Sequence, residues 1–306
     1  MSDDHLFLNR QTIQFLTVFE MQSLHKAADT LRISQPALSV GIRNLEEKLG
    51  APLFERTSKG MEPTAIGQAF YHYATAARQT GRTAIEEVRA RDSGELGTLR
   101  LGAGVAFTTT VLPPILRRLR DRYPGLTVDL LSGVGDQLAP RFLEGEIDVL
   151  LASTALPGLD APGIRRQYLT NLPMYAFCDA GSVLARRTQV TPADLLTVGW
   201  AGFYEDESSI HAAAHYMGLH GLPPPRTAIR SNSVAALTAF VGGTDLVLIL
   251  VSRLLDHATK AGLVQLPLAV PLWEIPVSLY LREVAATSPI AAAFVDAVQD
   301  EFRCGT

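Results

Sequence analysis

Ser34, Gln35, Pro36, Ser39, Val40 and Arg43 share one side of a short helical pattern, and residues 34–44 contain no acid. An amide, hydroxyls and a guanidinium at helical spacing, with no carboxylate among them, can approach phosphates and base edges in a DNA groove. Arg32 precedes this pattern. Arg56, Ser58 and Lys59 follow it, and Lys59 at the tip of a turn would meet a phosphate or enter the minor groove. The alternative is the solvated polar face of an ordinary helix pair, with Lys59 a plain turn lysine. A formal charge of −4 does not announce a nucleic-acid binder, so the DNA reading rests on where these cations sit.

A second group of chemistry-bearing residues lies at the ends of strand patterns. Thr108, Thr109 and Thr110 close the stretch 104–110, and Gly135 lies in the stretch 133–136. Trp200, Phe203 and Tyr204 end one strand, and Ser231, Asn232 and Ser233 end another just before a helix. Open α/β sheets bind ligands beyond the C-terminal ends of their strands, where helix N-termini present free N–H groups. Hydroxyls and N–H groups suit a carboxylate, and the three aromatic rings suit an apolar or aromatic body. No Arg or Lys lies in residues 104–110, 200–204 or 231–233, and alternation lets Arg230 point elsewhere. Each residue also has a plain structural reading, the threonines as helix caps and Trp200 as core.

Enzyme-like patterns fail on spacing. Gly102 and Gly104 follow a strand, but Phe107 replaces the third glycine of the dinucleotide fingerprint, and there is no P-loop lysine. His211 and His215 stand at i, i+4, yet Ala212 replaces the glutamate of HExxH and no third ligand is evident. Glu205, Asp206 and Glu207 read as a solvated turn, or as a filter against polyanions. The expectation is no catalytic residue, no metal and no cofactor.

The first group needs a compact helical support. Ser23 caps a helix over residues 24–31, with Leu24, Ala27, Ala28 and Leu31 on one face. Ser34 caps the next helix, Pro36 fits its first turn, and Gly50 ends it. Leu38, Ile42, Leu45 and Leu49 are its expected core side. A first helix over residues 9–21 supplies Ile13, Leu16, Val18 and Phe19, with Phe15 beside them. Residues 53–57 and 61–63 form a hairpin around residues 58–60. A helix over residues 64–91, capped by Thr64, carries an alanine-rich stripe through Ala65, Ala69, Tyr73, Ala76, Ala77, Thr80, Ala84 and Val88. So long a helix needs a partner to bury that stripe, either a second subunit or its own domain. Residues 92–94 look like a hinge.

Beyond residue 96 the pattern alternates strand and helix, and the strand-helix-strand-helix-strand run that ends at residue 152 implies a parallel sheet. Strands are expected near 99–102, 126–131, 147–152, 174–178, 198–201, 228–231, 246–250 and 275–281. Helices are expected near 111–123, 137–144, 193–196, 209–219, 234–242, 253–258 and 289–302. A chain of 306 residues suits roughly two or three domains. The first nine residues carry Asp3 and Asp4 and no apolar run, so no secretory signal is expected. Cys178 and Cys304 lack metal-type spacing and read as reduced cytoplasmic thiols.

The run SQPALS, then IRNLEEKLG, then PLFERTSKG and a Thr-X-X-Gly helix start, resembles the LysR-type transcriptional regulators. Departures lie at Val40 and Gly41, at Gln22 where a glycine is common, and at Leu24 where an aromatic is common. The resemblance implies an α/β chain with an N-terminal winged helix-turn-helix (1–63), a linker and dimerisation helix with hinge (64–95), and a two-lobed periplasmic-binding-protein-like effector domain (96–306). Lobe 1 would hold 96–161 plus 268–306, and lobe 2 would hold 162–267. It implies double-stranded DNA, a small effector in the inter-lobe cleft and self-association as dimer or tetramer, in the cytoplasm of a bacterium. The alternative is a cytoplasmic solute-binding protein or two-lobed enzyme without DNA binding, which leaves residues 23–67 unexplained.

Overall fold

The structure is a computed structural model that describes residues 6–57, 60–93, 97–153, 156, 158–160 and 163–304. It divides into an N-terminal unit ending at Gly97 and a larger unit beginning at Thr98.

In the N-terminal unit, Asn9 caps α1 (Arg10–Met21) by accepting from the Thr12 amide at 2.9 Å. Ser23 caps α2 (Leu24–Leu31), and Ser34 caps α3 (Gln35–Leu49), which ends on Gly50 in the left-handed region at φ 72°. Each hydroxyl takes an amide that the helix itself leaves unpaired. The antiparallel pair β1 (Phe54–Thr57) and β2 (Gly60–Pro63) follows. One Glu46 carboxylate oxygen accepts from the amides of Leu53 and Phe54 at 2.8 and 3.3 Å, tying the end of α3 to the start of this hairpin. Thr64 caps α4 (Ala65–Ser93) through the Gly67 amide at 2.9 Å.

Phe15 is the centre of this core, not a neighbour of the expected face. It is fully buried and packs against Phe54 and Phe70, while Ile13 and Phe19 are only half-buried. Phe19 instead stacks on Tyr71 of α4, with ring centroids 3.8 Å apart. Leu38, Ile42 and Leu45 are buried as expected, but Leu49 is 45% exposed. As the last residue of α3, Leu49 lies beyond the turn whose Leu45 closes the core. Gly41 faces α1, where a Cβ would collide with the Gln14 side chain.

In the larger unit, β3 (Thr98–Gly104) pairs in parallel with β4 (Thr127–Gly133) and β5 (Val149–Ser153). The connections carry α5 (Val105–Thr110), α6 (Leu112–Arg122) and α7 (Gly135–Leu143). Then come β6 (Ile164–Asp179), β7 (Trp200–Phe203), α8 (Glu207–Leu219), β8 (Thr227–Ser231), α9 (Val234–Val241) and β9 (Val247–Val251). The chain closes with α10 (Leu255–Lys260), β10 (Leu263–Gln265), β11 (Glu274–Arg282) and α11 (Pro289–Cys304). The strands run in the order β4-β3-β5-β11-β6-β9-β7-β8, with β10 also on β6. Two lobes share this path. The first half of β6 pairs with β11, and its second half pairs with β9 and β10.

Three expectations change here. The stretch 104–110 is not a loop before a helix: Gly104 ends β3 and residues 105–110 are already α5. β-branched residues favour helix weakly, but Thr108, Thr109 and Thr110 turn their hydroxyls back onto the carbonyls of Val105 and Ala106. β6 is 16 residues long and starts ten residues before the expected strand. Its first half is exposed and rich in Arg and Gln, so no buried alternation marks it. Residues 194–196 form a single 3-10 turn, not a helix. The proposed hinge and lobe boundary involve Gly94, Ala161 and Pro162, which lie outside the described residues.

Gln22 ends α1 in the left-handed region at φ 51°. Its carbonyl accepts from the Met61 amide at 3.2 Å, so this corner holds β2 close to the turn of the hairpin. A side chain there costs about 1 kcal/mol relative to glycine. Gln22→Gly is expected to stabilise the N-terminal unit by about that amount, read as a shift in its urea midpoint with unchanged slope; an unchanged or lower midpoint contradicts it.

Candidate functional site

The first candidate site is the outer face of α3. Gln35, Pro36, Val40 and Arg43 are exposed and Ser39 is half-buried, because Leu38, Ile42 and Leu45 commit the opposite side to the core. Ala37 and Asn44 are exposed as well. Ser34 is spent as the N-cap, accepting from the Ala37 amide at 3.4 Å. Arg32 is exposed and ends α2 at φ 54°. Arg56 lies on β1. Ser58 and Lys59 lie outside the described residues.

The second is a cavity of about 340 Å³ at the C-terminal ends of the strands. One wall is the turn from β3 into α5, Gly104 to Phe107, with Gly133 to Asp136 at the end of β4. The other wall is Trp200 to Phe203 of β7 and one side of α8, including Ile210 and Ala213. At Gly135 a Cβ would sit 2.8 Å from the Leu156 side chain, so a larger residue there displaces the end of Leu156. Trp273, Glu274 and Pro276 line it from the segment entering β11.

The expected ligand residues divide. Gly135, Trp200 and Phe203 line the cavity. Trp200 is also core, with its indole N–H donating to the Leu195 carbonyl at 2.9 Å. Thr108, Thr109, Thr110, Tyr204, Ser231, Asn232 and Ser233 are not among the lining residues. Thr108 also shares a 3.0 Å hydrogen bond with Ser132. The Ser231 hydroxyl accepts from the Ser233 amide, and Ser233 caps α9. Arg230, expected to point elsewhere, lines the cavity although it remains exposed.

The charged groups of the cavity were not evident from the strand ends. Asp206 caps α8, accepting from the Ser209 amide at 3.2 Å. Asp136 accepts from the amide and hydroxyl of Ser208 at 3.1 and 3.2 Å, and Gln137 donates to Glu205 at 3.2 Å. These bonds join the start of α7 to the turn before α8. That turn holds Glu205 in the left-handed region at φ 52°. Burial, and then the charges of Asp136 and Glu207, push the Asp206 carboxyl above the usual carboxylate range. A D-x-x-S cap was readable in residues 206–209, but the opposing carboxylate lies 70 residues away.

The family model described as the LysR substrate binding domain matches residues 92–303. The model described as bacterial regulatory helix-turn-helix protein, lysR family, matches residues 10–68. The chain belongs to the LysR family. It is a DNA-binding transcriptional regulator with an effector-binding domain. Among relatives of this LysR chain, the transcriptional regulator TfdS of Cupriavidus pinatubonensis (strain JMP 134 / LMG 1197) is 31% identical over 299 residues, covering 94% of this chain and 96% of TfdS. GbpR of Azospirillum brasilense is 29% identical over 250 residues, 81% of this chain and 72% of GbpR. The crystal structure of CbnR, another LysR regulator, matches with TM-score 0.59 at 24% identity, covering 95% of this chain and 98% of CbnR. CbnR complexed with its target DNA matches with TM-score 0.57 at 23% identity, covering 95% and 99%. Both CbnR likenesses bear on fold.

Asp206 gives a pH prediction. Because its folded-state value is raised, the folded chain holds the proton over a range where the unfolded chain has lost it. Stability therefore falls as pH rises from the ordinary Asp value, about 3.9, through the raised one. Asp206→Asn removes this cost and still offers an oxygen to the Ser209 amide. The variant is expected to melt higher than wild type at pH 7, with the gap closing towards pH 4. Thermal unfolding across that range checks it; a lower melting temperature at pH 7 contradicts it.

Proposed function

We propose that α3 reads the major groove through Gln35, Ser39 and Arg43, with Pro36 and Val40 as its apolar contacts. Arg32, Ser34, Arg56, Ser58 and Lys59 would hold the DNA backbone around it. The observation that carries this reading is the exposed, acid-free half of α3 standing on a buried Leu38-Ile42-Leu45 face. These roles follow side-chain chemistry: amide and guanidinium groups pair with base edges, and lysine and arginine neutralise phosphates.

The larger unit would hold a small effector in the cavity and change the operator contacts of the assembled protein when it binds. The chain would work without catalysis, in the cytoplasm. Among the described residues no helix is long and apolar enough to cross a membrane.

The assembly would form through α4. Ile66 is 51% exposed, Tyr73 62% and Val88 68%, and Ala65, Ala69 and Ala77 are exposed between them. The opposite side, with Gly67 and Ala74, is already buried on the N-terminal core. Replacing Ala69 and Tyr73 by Glu would place charges in the seam and is expected to give monomers in light scattering. A variant that keeps the wild-type mass puts the seam elsewhere.

For DNA, Arg43→Ala is expected to weaken specific operator binding by about 1–3 kcal/mol if the guanidinium reads a guanine. If it meets phosphate alone, affinity falls alike on all sequences and the salt slope shrinks. A gel shift with unchanged affinity on operator and random DNA removes Arg43 from the interface.

A further inference from the structure

The cavity has a charge problem that the fold does not solve. Asp136 and Asp206 approach it from opposite walls, and each accepts hydrogen bonds from a serine at the start of α8. The charges acting on Asp206 are Asp136 and Glu207, both negative. Glu274 adds a third acid to the lining. Arg230 is the single cation among the described lining residues, and its exposure lets water screen it. Two half-buried carboxylates facing one another without a cation are costly, and the group that relieves them is a cation.

The rest of the lining sets the shape of that cation's carrier. Asp206, Ser209, Ile210 and Ala213 follow one side of α8. Seven residues of helix span about 10 Å, so the cavity is longer than an ammonium ion. Phe107, Phe203, Leu250 and Trp273 make most of it apolar. Trp273 packs on Tyr216, near the C-terminal half of α8 and away from Asp206. Its indole N–H is buried and has no acceptor among the described residues. A buried donor without an acceptor is rare and expensive.

We propose that the cleft binds a small arylalkyl amine, with its ammonium between Asp136 and Asp206 and its ring along α8 towards the Trp273 side chain. This rests on the cleft being the effector site and names the chemistry of what it takes. An ammonium brings three donors to carboxylates whose remaining lone pairs are unused. A carboxylate ligand would instead add a negative charge to a lining that already holds three acids and one exposed base.

Tyramine, phenethylamine and 4-hydroxyphenylacetate share a ring and differ in their end groups, so calorimetry on the full-length protein separates the terms. Tyramine is expected to bind at least tenfold more tightly than 4-hydroxyphenylacetate. Asp206→Asn and Asp136→Asn are each expected to weaken tyramine at least tenfold. Gly202→Phe tests the place: Gly202 lines the cavity and a Cβ there meets nothing within 4 Å, so the added ring is expected to fill the cavity and abolish binding. The absence of tyramine binding, or binding unchanged in both Asp variants, overturns the proposal. Tighter binding of 4-hydroxyphenylacetate that Gly202→Phe abolishes overturns the amine and leaves the cleft as the effector site. Binding of any of these compounds that survives Gly202→Phe overturns both.

Discussion

The larger unit depends on one shared strand. β6 runs for 16 residues, and its two halves belong to different lobes. Residues 164–173 pair with β11, while 174–179 pair with β9 and β10. Because backbone hydrogen bonds continue through the crossing, the strands of the two lobes keep a fixed register to one another. The cavity therefore opens where both sets of strands end. Its walls come from β3 and β4 on one side and from β7 and α8 on the other. Ligand chemistry at strand ends and lobe geometry are thus set by the same ladder.

The N-terminal unit solves a different problem, which is to keep one helix face free. Its core is small, and it is closed by aromatic rings from three elements: Phe15 of α1, Phe54 of β1 and Phe70 of α4. Glu46 fixes the exit of α3 by holding two backbone amides of the following segment. With one side of α3 buried and its end tied down, the other side is presented without needing any contact of its own. The absence of acid between residues 34 and 44 then decides what that side can approach.

What the sequence made legible follows the range of the interactions. Ser23, Ser34 and Thr64 act within one helical turn, and each was readable as a cap. The burial of Leu38, Ile42 and Leu45 follows from helical period alone. The cavity is different. Asp136 meets Ser208 across 72 positions of sequence, and nothing local to either residue announces the other. The three threonines misled for a physical reason: a β-branched polar run reads as loop, yet back-bonding to Val105 and Ala106 lets it sit in α5. Arg230 is equally ambiguous, because strand alternation assigns it a side but not which side faces the cleft.

The Asp136–Asp206 arrangement also bears on how the two walls of the cavity are held to each other. Serine amides and hydroxyls that hold these carboxylates come from α8, while Asp136 comes from α7. The bonds that bridge the walls thus place like charges near each other. Such a contact is poised, since hydrogen bonding draws α7 and α8 together and charge repulsion opposes it. Glu205 at φ 52° adds backbone strain to the same turn. A cation between the carboxylates removes the repulsion and leaves the hydrogen bonds, so it favours the joined arrangement by differential affinity. A regulator needs a site whose occupancy changes the balance between two arrangements. If the proposed amine is the effector, the unfavourable charge pair would supply that dependence, where a fully compensated ion pair would not.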